Sequence, residues 1–220
     1  MGPEGSVTGI DVSERFIEAA LGEAQKAGRS NVSFIVGDIQ ATEFDGPFDY
    51  AFSRMGVMFF ANPVAAMRNV RRALEPRGRL CAVVWRRKLD NDWLHRAEVV
   101  VSGFLDRNEE SYEPTCGPGP FSMADADTTS AVLQSAGFDD VTFTRVDLDI
   151  KIGDDLDGAL KLVTSLGPAG ELIRLAEEEG ERRRPLIEAA LRDSLSEFER
   201  PDGVYAPAST WVIGARAPGA

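Results

Sequence analysis

The sequence predicts an α/β fold organised on a parallel sheet, and three observations carry that prediction. Short apolar runs alternate with helix-period segments from Ser6 to Trp85, the pattern of strands joined by right-handed helical crossovers. The run Leu80 to Trp85 (LCAVVW) is apolar enough to be covered on both faces. Val141 to Ile152 (VTFTRVDLDIKI) instead alternates apolar and polar residues, which marks an edge or antiparallel strand, and Tyr205 to Ala215 supplies a last strand.

Each element has a local reason. Ser6 to Val12 reads as the first strand, and Ser13 is a good N-cap for a helix over Glu14 to Lys26. Phe16, Ile17, Ala20, Leu21 and Ala24 form one apolar stripe on that helix, and Gly28 ends it. Asn31 to Val36 is a second strand, stopped by Gly37-Asp38, and Phe48 to Ser53 is a third. Asn62-Pro63 opens a helix with a cap and a proline in its first turn. Met67, Val70 and Leu74 then face the core and Arg68, Arg71 and Arg72 face water, with Pro76 and Gly78 closing the helix before the strand Leu80 to Trp85.

Arg86 to Phe121 is a mixed segment, with a helix over Asp92 to Leu105 and a glycine-proline loop, Gly117 to Pro120. Ser122 caps a helix over Ala124 to Ala136 that ends at Gly137. Asp154 to Phe198 is helical, with breaks at Gly167-Pro168 and at Gly180. No repeat or linker divides the chain, so residues 1–220 read as one domain with insertions at about 86–121 and 154–198.

Composition excludes several functions. A net charge of −12 argues against a basic nucleic-acid-binding surface. Two cysteines, Cys81 and Cys116, cannot build a disulfide framework, and one histidine, His95, leaves no metal-ligand cluster. Cys81 lies within an apolar run and reads as a small buried residue. No stretch approaches the ~20 apolar residues of a membrane span and no signal-peptide pattern opens the chain. The expected setting is cytoplasmic, with a small-molecule partner and no nucleic acid or membrane.

In open α/β sheets, ligands bind at the carboxyl ends of the strands. Four segments end there: Asp11-Val12, Gly37-Asp38-Ile39, Ser53-Arg54 and Trp85-Arg86. The runs TGIDVS, VSFIVGDI, FDYAFSRMGVMFF and MRNVRRALEPRGRLCAVVW, in that order and spacing, resemble the class I S-adenosylmethionine-dependent methyltransferases. The branch they are most similar to is the ubiquinone/menaquinone-biosynthesis-like bacterial group. The resemblance implies a Rossmann-like sheet with a C-terminal antiparallel hairpin, helical cap insertions and S-adenosylmethionine as cofactor. It implies that Asp11 accepts both ribose hydroxyls, that Val12 lies against the adenine, and that Asp38 accepts from the adenine amino group. The N–H of Ile39 then reaches a ring nitrogen, while Ser53 and Arg54 border the methionine part.

Bland readings compete at these positions. An aspartate before a serine-capped helix can serve the cap and the helix dipole, and Asp38 can be a turn residue. No catalytic residue is assigned: an activated methyl needs alignment and exclusion of water more than a specialised side chain, and His95 reads as a polar helix residue. The acceptor pocket is expected beneath the two insertions, with Met55, Met58, Phe59, Phe60 and Trp93 as candidate lining, although such residues at this spacing are commonly core. Arg86-Arg87-Lys88 reads as a solvated loop, with an anionic substrate as the alternative contact.

One part of the pattern is missing. A glycine-rich turn stands about 20 residues before the ribose acid in such sites, yet only ten residues precede Asp11. Gly117-Pro118-Gly119-Pro120 follows the acid, follows no strand and has two prolines without N–H groups. The resemblance therefore implies that the first βα unit, whose strand belongs mid-sheet, is missing. That leaves two inner edges exposed, which favours self-association into a homo-oligomer. The expectation is that the natural protein is longer and this chain starts at an internal methionine. The alternatives are a catalytically silent methyltransferase-like scaffold and an NAD-dependent dehydrogenase, which shares the ribose acid.

Overall fold

The computed structural model describes residues 2, 4–105 and 117–219. Cys116 and part of the 86–121 insertion lie outside the described residues. The first strand, β1 (Val7–Asp11), leads into α1 (Glu14–Lys26), where the Ser13 hydroxyl accepts the Phe16 N–H at 3.4 Å. Strand β2 (Val32–Val36) lies parallel to β1, with Val7 opposite Val32 and Asp11 opposite Val36. Then come β3 (Phe48–Arg54), α2 (Pro63–Ala73) capped by Asn62, and β4 (Leu74–Trp85). The chain continues through α3 (Asp92–Ser102), α4 (Ala126–Ser135) and β5 (Asp139–Gly153). The last elements are α5 (Leu156–Ser165), α6 (Pro168–Leu175), α7 (Glu177–Leu195), β6 (Glu199–Arg200) and β7 (Gly203–Arg216).

The α/β class holds, but the strands form two sheets and the larger one is mixed. Strands β1 and β2 make a parallel pair. The second sheet runs β3-β4-β7-β5, with β6 folded onto β7. Only β3 and β4 are parallel there, while β7 runs antiparallel to both neighbours and makes the expected terminal hairpin with β5. Among the described residues β1 pairs only with β2, and β3 only with β4, so each keeps one unpaired edge. Large apolar side chains stand exposed along these elements: Phe52 at 62%, Tyr50 at 48%, Phe16 at 65% and Val12 at 69%.

Several boundaries differ from the sequence reading, among them the end of α3, at Ser102 rather than Leu105. Strand β4 begins at Leu74, directly at the end of α2, because Gly78 and Arg77 (φ 66°) form an irregularity inside the strand rather than a turn before it. Helix α4 begins at Ala126 under the cap of Asp125, whose carboxylate accepts the Thr128 N–H at 2.8 Å. Ser122 instead donates to the Met58 carbonyl at 2.6 Å. Gly180 sits inside α7 rather than breaking it. A Cβ there would stand 2.3 Å from the Ile173 carbonyl oxygen, so glycine lets the α6 and α7 backbones approach closely.

Two buried clusters follow. One joins α2 and α4 to β4 and the end of β7 through Met67, Val70, Val84, Leu133, Phe138 and Ile213. The other packs α3, α5, α6 and α7 together against the start of β7, with Trp93, Val101, Val163, Ile187 and Leu191 at its centre. The two insertions therefore pack on each other. Ile187 is fully buried, so Ile187→Val is expected to lower stability by about 1 kcal/mol, read as a shift in the urea midpoint with unchanged slope.

Candidate functional site

The carboxyl ends of β1 and β2 lie side by side, and they bring four of the six expected residues together. Asp11 ends β1, and its carbonyl accepts the Gly37 N–H at 3.0 Å, which ties the two strand ends. One carboxylate oxygen of Asp11 accepts the Ser13 N–H at 2.8 Å, while no described residue bonds the other. Asp11 thus serves the start of α1, as the bland reading has it, and keeps one oxygen for a further donor. Val12 beside it is solvent-exposed.

Asp38 stands just past β2 and is exposed. Its carboxylate accepts from the Gln40 backbone at 2.9 Å and from the Gln40 amide at 3.0 Å, and the Gln40 carbonyl oxygen in turn accepts the Asn62 N–H at 2.7 Å. Asp38 therefore organises a turn that reaches α2. The Ile39 carbonyl accepts from the Asn69 amide at 2.8 Å, and the Ile39 N–H has no acceptor among the described residues.

Ser53 and Arg54 end β3, in the other sheet. Met55 follows with φ 59°, a left-handed conformation that costs a non-glycine residue, and its N–H donates to the Val83 carbonyl at 2.9 Å. That turn carries the chain away from the end of β3 towards Met58.

The aromatic and sulfur candidates separate. Met58 and Trp93 are core residues at 1% and 4% exposure, and Met55 packs against the α2–α4 cluster. Phe59 is exposed, and Phe60 alone of the five lines a cavity of about 670 Å³. That cavity lies between the turn after β3, the end of β4 and the start of α4. The 86–121 segment contributes to its wall, but the 154–198 insertion contributes none of its residues. His95 lies half-buried on α3 and is not part of the wall.

The largest departure from the sequence reading is Arg86. It is 8% exposed rather than solvated, whereas Arg87 is exposed and pairs with Asp90 at 3.0 Å. One terminal nitrogen of Arg86 donates to the Ser209 hydroxyl at 2.9 Å and the other lies 3.4 Å from Asp90. Its guanidinium stacks 4.6 Å from the Trp211 ring centre. The signal was present: the buried face of β4 runs Leu80, Ala82, Val84, and the same alternation carried two residues further selects Arg86. Asn91, fully buried, carries no motif that marks it in the sequence. Its amide accepts the Ser209 N–H at 2.9 Å and donates to the Ser209 carbonyl at 3.2 Å.

Asp90 titrates below the ordinary carboxylate range, chiefly through its hydrogen bond from Arg87 and further through the charge of Arg86. A depressed folded value gives stability that is present above the unfolded value near 4 and lost as pH falls through the folded one. Asp90→Asn should therefore lower the melting temperature around pH 7, and the difference from the parent should shrink progressively as pH falls below about 4, checked by thermal unfolding across that range.

Comparison with known proteins adds three findings. Residues 1–111 match the model of a family described as a methyltransferase domain. The demethylmenaquinone methyltransferase of Listeria welshimeri is 32% identical over 84 residues, which is 38% of this chain and 36% of that protein. The chain thus spans about a third of the length of the curated relatives it matches, as it does for the Staphylococcus aureus protein of the same name, at 32%. Among solved structures, the YcgJ protein of Bacillus subtilis superposes with a TM-score of 0.59 at 15% identity, over 98% of this chain and 83% of that one. Phosphoethanolamine N-methyltransferase 2 of Haemonchus contortus, in complex with S-adenosyl-L-methionine, gives 0.52 at 16% identity, over 98% of this chain and 44% of that one. At these identities the structural likeness is one of fold.

Proposed function

The chain belongs to the methyltransferase-domain family, and from that premise we propose that it binds S-adenosylmethionine across the carboxyl ends of β1 and β2 and directs methyl transfer to a small-molecule acceptor. The observation that carries the reading is the pair Asp11 and Asp38, two carboxylates at the ends of neighbouring parallel strands. This is where open α/β sheets take nucleotides. The residues present fit the nucleoside half of the cofactor. The uncommitted Asp11 oxygen suits a ribose hydroxyl, exposed Val12 offers an apolar face to the adenine, and the Ile39 N–H is a free donor for a ring nitrogen. Asp38 would take the adenine amino group by releasing the Gln40 amide.

When bound, S-adenosylmethionine supplies a sulfonium methyl already activated for in-line displacement. The chain's own part is to hold, orient and keep water out. Ser53 and Arg54 would border the methionine end. The backbone cradle for that end is the remaining requirement, and we propose that a further parallel strand with a glycine-rich turn pairs with the free edges of β1 and β3. Exposed Tyr50 and Phe52 on one face of β3 support a covering element beside that strand, because contiguous apolar surface is normally covered.

Calorimetry with S-adenosylhomocysteine on this chain, and on a form carrying an added N-terminal strand and glycine turn, tests the proposal. Tight binding by the extended form supports it. Binding by neither form leaves a methyltransferase-like scaffold without a cofactor and overturns it.

A further inference from the structure

We propose that Gln40 is an internal competitor for adenine compounds: its amide holds Asp38 in the free chain, and an adenine amino group that displaces it also releases the start of α2. The proposal deepens the nucleoside-site reading and rests on it, since a purine must reach Asp38. It adds a residue that sets how well the site tells an amino-bearing purine from an oxo one.

The geometry is that of a stand-in. The Gln40 amide nitrogen lies 3.2 Å and 3.0 Å from the two Asp38 carboxylate oxygens. A carboxamide NH₂ and the exocyclic NH₂ of adenine are donors of one kind, a planar nitrogen with two protons on a trigonal carbon. They therefore compete for one carboxylate. The partners of the amide fix its orientation. A carboxylate only accepts, and the Asn62 N–H, 2.7 Å from the Gln40 oxygen, only donates, so the nitrogen faces Asp38 and the oxygen faces α2.

The backbone around this pair is closed, which leaves the exchange to side chains. The Asp38 carbonyl accepts the Ala41 and Thr42 N–H groups at 2.9 Å and 2.8 Å. A Cβ at Gly37 would stand 2.5 Å from the Thr42 hydroxyl, so glycine lets the turn pack this tightly. Asn69 of α2 clamps the far side, donating to the Ile39 and Thr42 carbonyls at 2.8 Å and 2.6 Å. The link onward is Asn62, the N-cap of α2. Its side chain accepts the Ala65 N–H at 3.0 Å, while its own N–H depends on Gln40. Turning the Gln40 side chain away from Asp38 takes that acceptor from Asn62. Pro63, next in the chain, lines the large cavity, so the nucleoside site and the cavity share this contact. A site closed by its own side chain loses apparent affinity in proportion to the closed fraction, about tenfold when roughly nine molecules in ten are closed.

Amide NMR titration of the full chain tests it with adenosine and with inosine, which carries an oxygen in place of the amino group. Gln40→Met keeps the side-chain length but has neither donor nor acceptor. Adenosine should then bind about tenfold more tightly, while inosine, which cannot displace the amide, changes less than about twofold. Combined with Asp38→Ala, the same substitution should bring no gain, because the competition has lost its acceptor. In the parent, saturating adenosine should move the Asn62 amide proton upfield as its acceptor leaves, and inosine should not. That readout keeps the test decisive if Gln40→Met fails to fold. Unchanged adenosine affinity in Gln40→Met, an equal gain for inosine, a gain that survives Asp38→Ala, or an Asn62 proton unmoved by bound adenosine overturns the proposal and leaves the nucleoside site standing. No response of β1 and β2 to either nucleoside, in parent or variant, also overturns it. The nucleoside site itself then stands or falls with S-adenosylhomocysteine binding by the extended form.

Discussion

Replacing Asn91 by leucine is expected to lower the stability of the fold by about 3 kcal/mol, since a buried N–H is left without an acceptor and two further bonds are lost. Strand β4 stops pairing with β7 at Trp85–Thr210, and the next rung is made partly by a side chain. The Arg86 N–H donates to the Ser209 carbonyl at 3.1 Å, while the Asn91 amide takes the Ser209 N–H. Asn91 also holds the Arg87 carbonyl at 3.1 Å, so it fixes the loop that places Arg86. Leucine has the same number of side-chain heavy atoms, is bulkier, and supplies none of these bonds. Chemical denaturation would show the loss as a lower midpoint. A midpoint unchanged within about 0.5 kcal/mol would mean that water replaces the amide.

Asp11→Ala is expected to weaken S-adenosylhomocysteine binding by about 100-fold in a form that completes the sheet, because hydrogen bonds to a charged acceptor are each worth roughly 1.5–3 kcal/mol. The alanine also removes the acceptor for the Ser13 N–H, which loosens the start of α1. Asp11→Asn separates the two effects. Its amide oxygen still accepts that N–H, so stability should stay near the parent while affinity falls by about tenfold or more. Calorimetry and thermal melts on both variants check this. Equal affinity across the three proteins would confine Asp11 to the helix start.

Much of the fold was legible because local rules and tertiary packing agree. Ser13 caps the helix the sequence assigns it, Asn62-Pro63 opens α2, and Gly137 (φ 91°) ends α4. Disagreement arose where a long-range contact decides. Gly180 looks like a breaker until the Ile173 carbonyl is placed against it, and Ser122 looks like a cap until Met58 offers an acceptor. At the candidate site the sequence located Asp11 and Asp38 by their position after apolar runs. The β4 alternation points Arg86 inward, but of the groups around its guanidinium only Asp90 is local, while Ser209 and Asp147 come from strands more than sixty residues away. Nor could it show that α3 and α5 to α7 share a core apart from the cavity.

The division of the sheet has a dynamic consequence. Among the described residues, the hydrogen bonds that tie the β1-α1-β2 unit to the remainder lie around residues 37–42, chiefly Gln40 with Asn62 and Asn69 with Ile39 and Thr42. Strand β7, by contrast, is zipped on both sides along most of its length. Amide protons of β1 and β2 should then exchange with solvent through a local opening that leaves β4, β5 and β7 protected. Ligand-induced slowing confined to β1 and β2 would register the nucleoside directly, so the half that recognises it doubles as a reporter of its own occupancy.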